Sequence, residues 1–281
     1  MPKPNTRQLF GVSDPVFDSS CKLVTSPFFS SAVLATIRLM VALYTMTTLI
    51  VILVMDGEDG KTAGRDFSYF TQLTYIGICA YYWASFVQTA SYEWRRRKGK
   101  IGYLLQRWPK FLQVLHLILG TTIVNYPILV TLVFWVLLAD SRTLGTPTLV
   151  WRNVSIHALN SVFCLFEVLF THSPRPRWIF LIFTVLILGG YCGLAYVTKK
   201  TQGFYTYSFL NPDKGPILAV YLVGIAVAEC IIFALVWGLM SLRQRMFPVK
   251  ETRERLEDAR EDHGSLGRIR SEDEKGSWEN V

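Results

Sequence analysis

An all-α bundle of six membrane-crossing helices, with both termini on the cytoplasmic side, is the fold this sequence predicts. Three observations predict it. Only 18% of the 281 residues are charged, while 51% are hydrophobic and 14% aromatic; an average soluble domain carries about 25% charged residues. Six apolar stretches are each long enough to cross about 30 Å of hydrocarbon. The basic residues, finally, are concentrated in alternate loops, which fixes an orientation. A soluble globular enzyme and an intrinsically disordered chain are both excluded by this composition.

Taken in order, the first stretch is 31–55, interrupted only by Arg38. The second, 67–94, is aromatic and unusually rich in Thr, Ser and Gln for a span. In the third, 111–138, Asn125 and Pro127 predict a kink whose freed backbone groups are satisfied internally. The fourth, 154–170, mixes His157, Asn160 and Glu167 into an apolar background. The fifth and sixth are 178–197 and 216–242, the last carrying Glu229 at mid-span. Between the second and third lies RRRKGKIGYLLQRWPK, with seven basic residues and no acidic one. The linker THSPRPRW and the SLRQR end of the sixth span are also basic, whereas DGEDGKTAGRD after the first is mainly acidic. Lys and Arg favour the cytoplasmic side, so the second, fourth and sixth spans end there.

The chain thus divides into a cytoplasmic segment, 1–30, a membrane domain, 31–242, and a charged cytoplasmic tail, 243–281, that begins as a short helix and becomes disordered. The first thirty residues lack an apolar core, so the first span serves as its own targeting signal. The endoplasmic reticulum or plasma membrane is the expected location. The five cysteines are scattered without metal-ligand spacing and read as packed thiols. The net charge of +8 sits beside the spans, where it sets topology; it is not a nucleic-acid footprint.

Polar side chains inside a bilayer are expensive and point to function. In the second span, Ser68, Thr71 and Tyr75 fall at helical spacing on one face, with Thr74 nearby. In the fourth, Asn153, His157 and Asn160 do the same. Both spans start from the non-cytoplasmic side, just after Asp66 and Arg152. Thr71 and His157 each lie five residues further on, about 7 Å below one interface. A threonine hydroxyl becomes a useful nucleophile only beside a base, and a neutral imidazole is such a base. The competing explanation is structural: the threonine bonds its own backbone, and the histidine meets water or headgroups. Glu167 and Glu229 either orient a base, carry a proton or pair with a neighbour. His116 reads as a packing residue, and the Asn153-Val154-Ser155 sequon abuts the membrane too closely for glycosylation. The loop KKTQGFYTYSFLNPDKGP, containing Tyr205 and Tyr207, is either an ordinary interfacial aromatic cluster or a cover over a lipid pocket on the Thr71 side.

The FSYFT opening of the second span, the Asn153-x-x-x-His157 opening of the fourth with Glu167 ten residues on, and the GFYTYSFLNPDKGP loop resemble the androgen-induced gene family. The similarity runs from about residue 31 to 242, and it departs in a longer amino-terminal segment and a charged tail. Members of that family are compact polytopic membrane hydrolases that cleave fatty acid esters of hydroxy fatty acids. The resemblance implies that Thr71 is the nucleophile and His157 the catalytic histidine. It implies no metal and no organic cofactor. A tetrahedral oxyanion needs donors, for which Asn153, Asn160, Ser68 and Tyr205 are candidates, with Tyr207 and Glu167 as further pocket residues. The expected partners are the lipid bilayer and a lipophilic ester. Two other readings stay open, a non-enzymatic lipid-binding or transport protein and a structural membrane protein whose tail recruits partners.

Overall fold

The computed structural model describes residues 10–12, 16–58 and 63–249, which are helical with no strand. The expected helix and disorder of the tail lie outside the described residues. Seven helices build the bundle: α1 (Ser31–Glu58), α2 (Phe70–Arg96), α3 (Lys110–Val133), α4 (Pro147–His157), α5 (Leu159–Phe170), α6 (Ile179–Gln202) and α7 (Ile217–Met246). Among the described residues, five helical segments are long and apolar enough to cross a membrane: α1, α3 with its extension to Leu138, α4 and α5 taken together, α6 and α7. This is the make-up of a multi-pass membrane protein.

α2 stands apart. At 27 residues it is about 40 Å long, yet its composition is too polar to be recognised as a span. The reason is its position. α2 packs against α1, α3 and α4, and its Thr71, Gln72, Thr74, Ser85, Gln88 and Thr89 are buried. Those polar groups face protein, where Thr74 and Thr89 donate to helix carbonyls and the Gln88 oxygen accepts from the Leu105 N–H. α7 shows the opposite arrangement: Val220, Val223, Val227, Ile231 and Leu235 descend it at helical spacing and are exposed. Such a stripe is the expected surface of a helix facing hydrocarbon.

The fourth span begins earlier than its hydropathy indicates. Thr146 caps α4 by accepting from the Leu149 N–H at 3.2 Å, and Pro147 occupies the first turn, where its missing N–H has no consequence. Arg152 therefore lies inside the helix. Its guanidinium is met by Asp56 at 2.7 and 2.9 Å and by Asp66 at 3.4 Å. α3 continues as one helix through Pro127, with Asn125 Nδ2 donating to Thr121 O at 2.7 Å and Ser161 Oγ to Pro127 O at 3.0 Å.

One ionic cluster ties the far end together. Arg38 and Glu167 are both 0% exposed and form a two-pronged pair at 2.9 and 2.8 Å. Arg38 also donates to Leu23 O at 2.9 Å and Thr89 Oγ1 at 2.6 Å, and Tyr81 donates to Glu167 at 3.3 Å. Arg243 then caps the last turn of α5, donating to Glu167 O at 3.2 Å, Val168 O at 2.6 Å and Ser173 O. Glu167 is thus consumed as a counter-ion. Removing one member leaves a buried charge uncompensated, at about 3–5 kcal/mol, whereas replacing both by apolar groups is often nearly neutral. Glu167→Leu should lower stability on that scale, with partial recovery in Arg38→Met/Glu167→Leu, both read from unfolding in detergent.

Residues 16–25 close the same end. Asp18 accepts from the N–H of Lys22 at 2.9 Å and of Leu23 at 3.0 Å and from the Tyr103 hydroxyl at 2.7 Å. Burial outweighs these donors and pushes its carboxyl above the ordinary 3.8. The folded state therefore holds this proton more tightly than the unfolded chain. That stabilisation is complete below 3.8 and lost as pH rises through the elevated value. Measured against Asp18→Asn, the wild-type Tm should gain as pH falls from neutral to about 4; parallel Tm–pH curves would refute the assignment.

Candidate functional site

Thr71 is the second residue of α2, whose start is shaped by Tyr69 in an extended conformation (φ −93°, ψ 134°) after a 3₁₀ turn, Ala63–Ser68. That turn removes Ser68 from the face expected to carry Thr71. Ser68 instead presents its carbonyl to the Tyr191 hydroxyl at 3.1 Å, which also meets Thr206 at 3.1 Å. Thr71, 8% exposed, borders a cavity of about 370 Å³ walled by α3, α6, α7 and the loop after α6. On α3 the lining runs from Leu129 to Leu138, about 13 Å along the axis. On α6 it includes Val185, Leu188 and Cys192, and on α7 Leu222, Ile225 and Ala226. The space is elongated along the helices and almost wholly apolar, a shape that fits an extended hydrocarbon chain.

The loop following α6 covers the Thr71 end. Gly203 ends the helix in the left-handed region (φ 82°), the conformation glycine adopts without strain. Tyr207, Phe209 and Leu210 then reach the cavity. Tyr207 and Phe209 stack at 5.2 Å, and Phe209 stacks on Tyr221 of α7 at 5.2 Å. Tyr207 lies beside Thr71 at the cavity wall, and burial raises its pKa above the ordinary 10.0. It remains protonated at neutral pH and available as a donor.

His157 occupies a break in the fourth span. Ala158 leaves helical geometry (φ −127°, ψ −54°), and the Ser161 N–H bonds Ala158 O at 3.0 Å. The His157 carbonyl, deprived of that partner, accepts from Trp135 Nε1 at 3.0 Å. The imidazole stacks on Phe134 with centroids 3.6 Å apart and planes 4° from parallel. It is 6% exposed, and its Nδ1 has no hydrogen-bond partner. Phe134 lines the cavity; His157 does not. Phe134 therefore screens the imidazole from the space that Thr71 borders. The Arg152–Asp66 contact, at 3.4 Å, links the interior of α4 to the turn before α2. Thr71 and His157 are nonetheless not hydrogen-bonded to each other.

The structure redistributes the other candidates. Asn153 Nδ2 is committed to Thr143 O at 2.8 Å and Leu149 O at 3.0 Å. The break turns Asn160 toward α3, where its Oδ1 accepts from Thr131 at 3.0 Å and from the Ser161 N–H at 2.7 Å. Tyr205 packs edge-on against Tyr196 at 6.3 Å with Lys199 over its ring. Glu167 belongs to the Arg38 cluster. None of these four lines the cavity. Tyr207 does, while Tyr191, Phe134 and Trp135 are site residues that sequence reasoning missed. Glu229 is fully buried, and neither carboxylate oxygen has a hydrogen-bond partner. It lies one turn along α7 beyond Ala226, whose side chain lines the cavity. Among the described residues no three His, Cys, Asp or Glu side chains converge as a metal site.

Comparison of the chain with protein-family models, with characterised proteins and with solved structures finds no match. The site is therefore argued from its own geometry. Trp135→Phe strands the His157 carbonyl without its donor and should lower stability by about 1–3 kcal/mol; equal unfolding curves for variant and wild type would show that the break does not depend on this bond.

Proposed function

We propose that this protein is an integral membrane lipid-ester hydrolase with Thr71 as nucleophile and His157 as general base. The observation that carries the reading is the Thr71 hydroxyl, at the end of an elongated apolar cavity, faced by the Tyr207 phenol. In this reading α2 is the sixth crossing, both termini are cytoplasmic, and the protein resides in the endoplasmic reticulum or plasma membrane. The substrate class is the lipophilic ester, fatty acid esters of hydroxy fatty acids among them, as the sequence resemblance implies.

An acyl chain lies along the α3–α6–α7 cavity and brings its ester carbonyl to Thr71. The Phe134 ring swings aside as the chain fills the cavity, and His157 takes the Thr71 proton. The hydroxyl oxygen attacks, the carbonyl oxygen becomes an oxyanion that accepts from Tyr207, and the alcohol departs with the proton from His157. Water, deprotonated by His157, then cleaves the acyl-threonine to a fatty acid. Burial of the acyl chain favours long-chain esters over short water-soluble ones.

A non-catalytic lipid-binding protein is the second reading, favoured by the absence of a Thr71–His157 hydrogen bond in this structure. Purified protein assayed on long-chain esters separates the two. Thr71→Ala and His157→Ala should each reduce turnover by about 10³-fold or more. Tyr207→Phe should reduce it by about 10²–10³-fold, the usual effect of one oxyanion donor. Lipid binding without turnover by well-folded wild-type protein would replace the hydrolase reading with the second.

A further inference from the structure

A second cavity, of about 260 Å³, opens at the end of the bundle remote from Thr71. It lies between the loop around residue 20, the first half of α3, the turn before α6 and the end of α7. Its walls divide by chemistry. Leu117, Val124, Phe180 and Met240 give an apolar depth, and Gly120 leaves it unobstructed, since a Cβ there would meet nothing nearer than a Tyr81 ring carbon at 3.5 Å. Among the described residues, three cations, Lys22, Arg175 and Arg177, share the lining with one acidic residue, Asp18. The Asp18 oxygens already accept from the Lys22 and Leu23 N–H groups and from Tyr103. Arg175 is anchored by Ser241 Oγ at 2.9 Å and by the Trp237 ring at 4.3 Å.

Ser173, 6% exposed, lines the cavity with its hydroxyl beside the Tyr81 phenol. A soluble anion would use the cations and leave the apolar depth empty. A zwitterionic lipid would use the depth and gain little from the excess positive charge. An anionic amphiphile uses both, and basic pockets between membrane helices characteristically receive acidic headgroups.

We propose that this cavity binds an anionic phospholipid, with its phosphate against Lys22 and the first carbons of a chain against Leu117, Val124 and Phe180. The site is separate from Thr71 and stands whether or not the ester-hydrolase reading holds.

Full-length protein depleted of lipid in detergent would be titrated with phosphatidic acid and, in separate arms, with phosphatidylcholine, oleate and inorganic phosphate. Binding is read by native mass spectrometry. Phosphatidic acid should bind at least about tenfold more tightly than phosphatidylcholine and weaken as salt is raised. Lys22→Gln should weaken it about fivefold, and Gly120→Leu, which fills the apolar depth, should abolish it. Tm values for each variant separate lost binding from lost folding, and the exposed-side change at Lys22 keeps the test valid should Gly120→Leu unfold. Equal binding of phosphatidylcholine, or full phosphatidic acid binding by a folded Lys22→Gln variant, overturns the proposal. Displacement of phosphatidic acid by equimolar oleate or inorganic phosphate would also overturn it, assigning the cavity to a fatty acid or a free anion.

Discussion

The buried Arg38–Glu167 pair is the constraint on which the arrangement of helices depends. A guanidinium and a carboxylate removed from water need each other and need every remaining polar atom satisfied. Here those requirements recruit Leu23 from the segment before α1, Thr89 and Tyr81 from α2, and the end of α5. Arg243 of α7 then takes the carbonyls that α5 leaves free. Elements from every third of the chain are thereby brought to one level at one end of the bundle. Apolar packing between helices supplies little directional preference where the surrounding solvent is itself hydrocarbon. A charged network that accepts one geometry supplies it instead.

At the opposite end a second ionic contact performs a similar task. Arg152 spans Asp56 at the end of α1 and Asp66 before α2. This contact ties the turn that leads into Thr71 to the helix that carries His157. The two ends of the bundle differ in purpose. One holds a closed cluster beside a cationic cavity, and the other frames an apolar cavity with a hydroxyl and a phenol at its mouth.

The discontinuity at Ala158 separates the histidine from Asn160. An uninterrupted helix would keep Asn160 on the face of Asn153 and His157. The break instead turns Asn160 toward Thr131 and hands the His157 carbonyl to Trp135, while the imidazole lies on Phe134. Both aromatic residues belong to the turn of π-helix, Phe134–Leu138, that extends α3. Two local irregularities therefore satisfy each other, as buried backbone groups in a membrane require. Such paired irregularities recur at functional sites, where departures from regular helix aim particular side chains.

Much of this was legible in the amino-acid order. Hydropathy and length located the apolar helices, because both are local sums over neighbouring residues. The equal offsets of Thr71 from Asp66 and of His157 from Arg152 assumed one helical rise, whereas the chain from Asp66 to Thr71 passes through a 3₁₀ turn and an extended Tyr69. What only the tertiary structure decided were the matters that depend on partners distant in sequence. Glu167 became a counter-ion because Arg38, 129 residues away, lies against it. Asn153 and Asn160 were withdrawn as donors by the carbonyls of Thr143, Leu149 and Pro127, and Tyr207 was brought to the Thr71 cavity by the path of a loop. Local rules measure what a residue prefers; which neighbour satisfies it is settled when the helices pack.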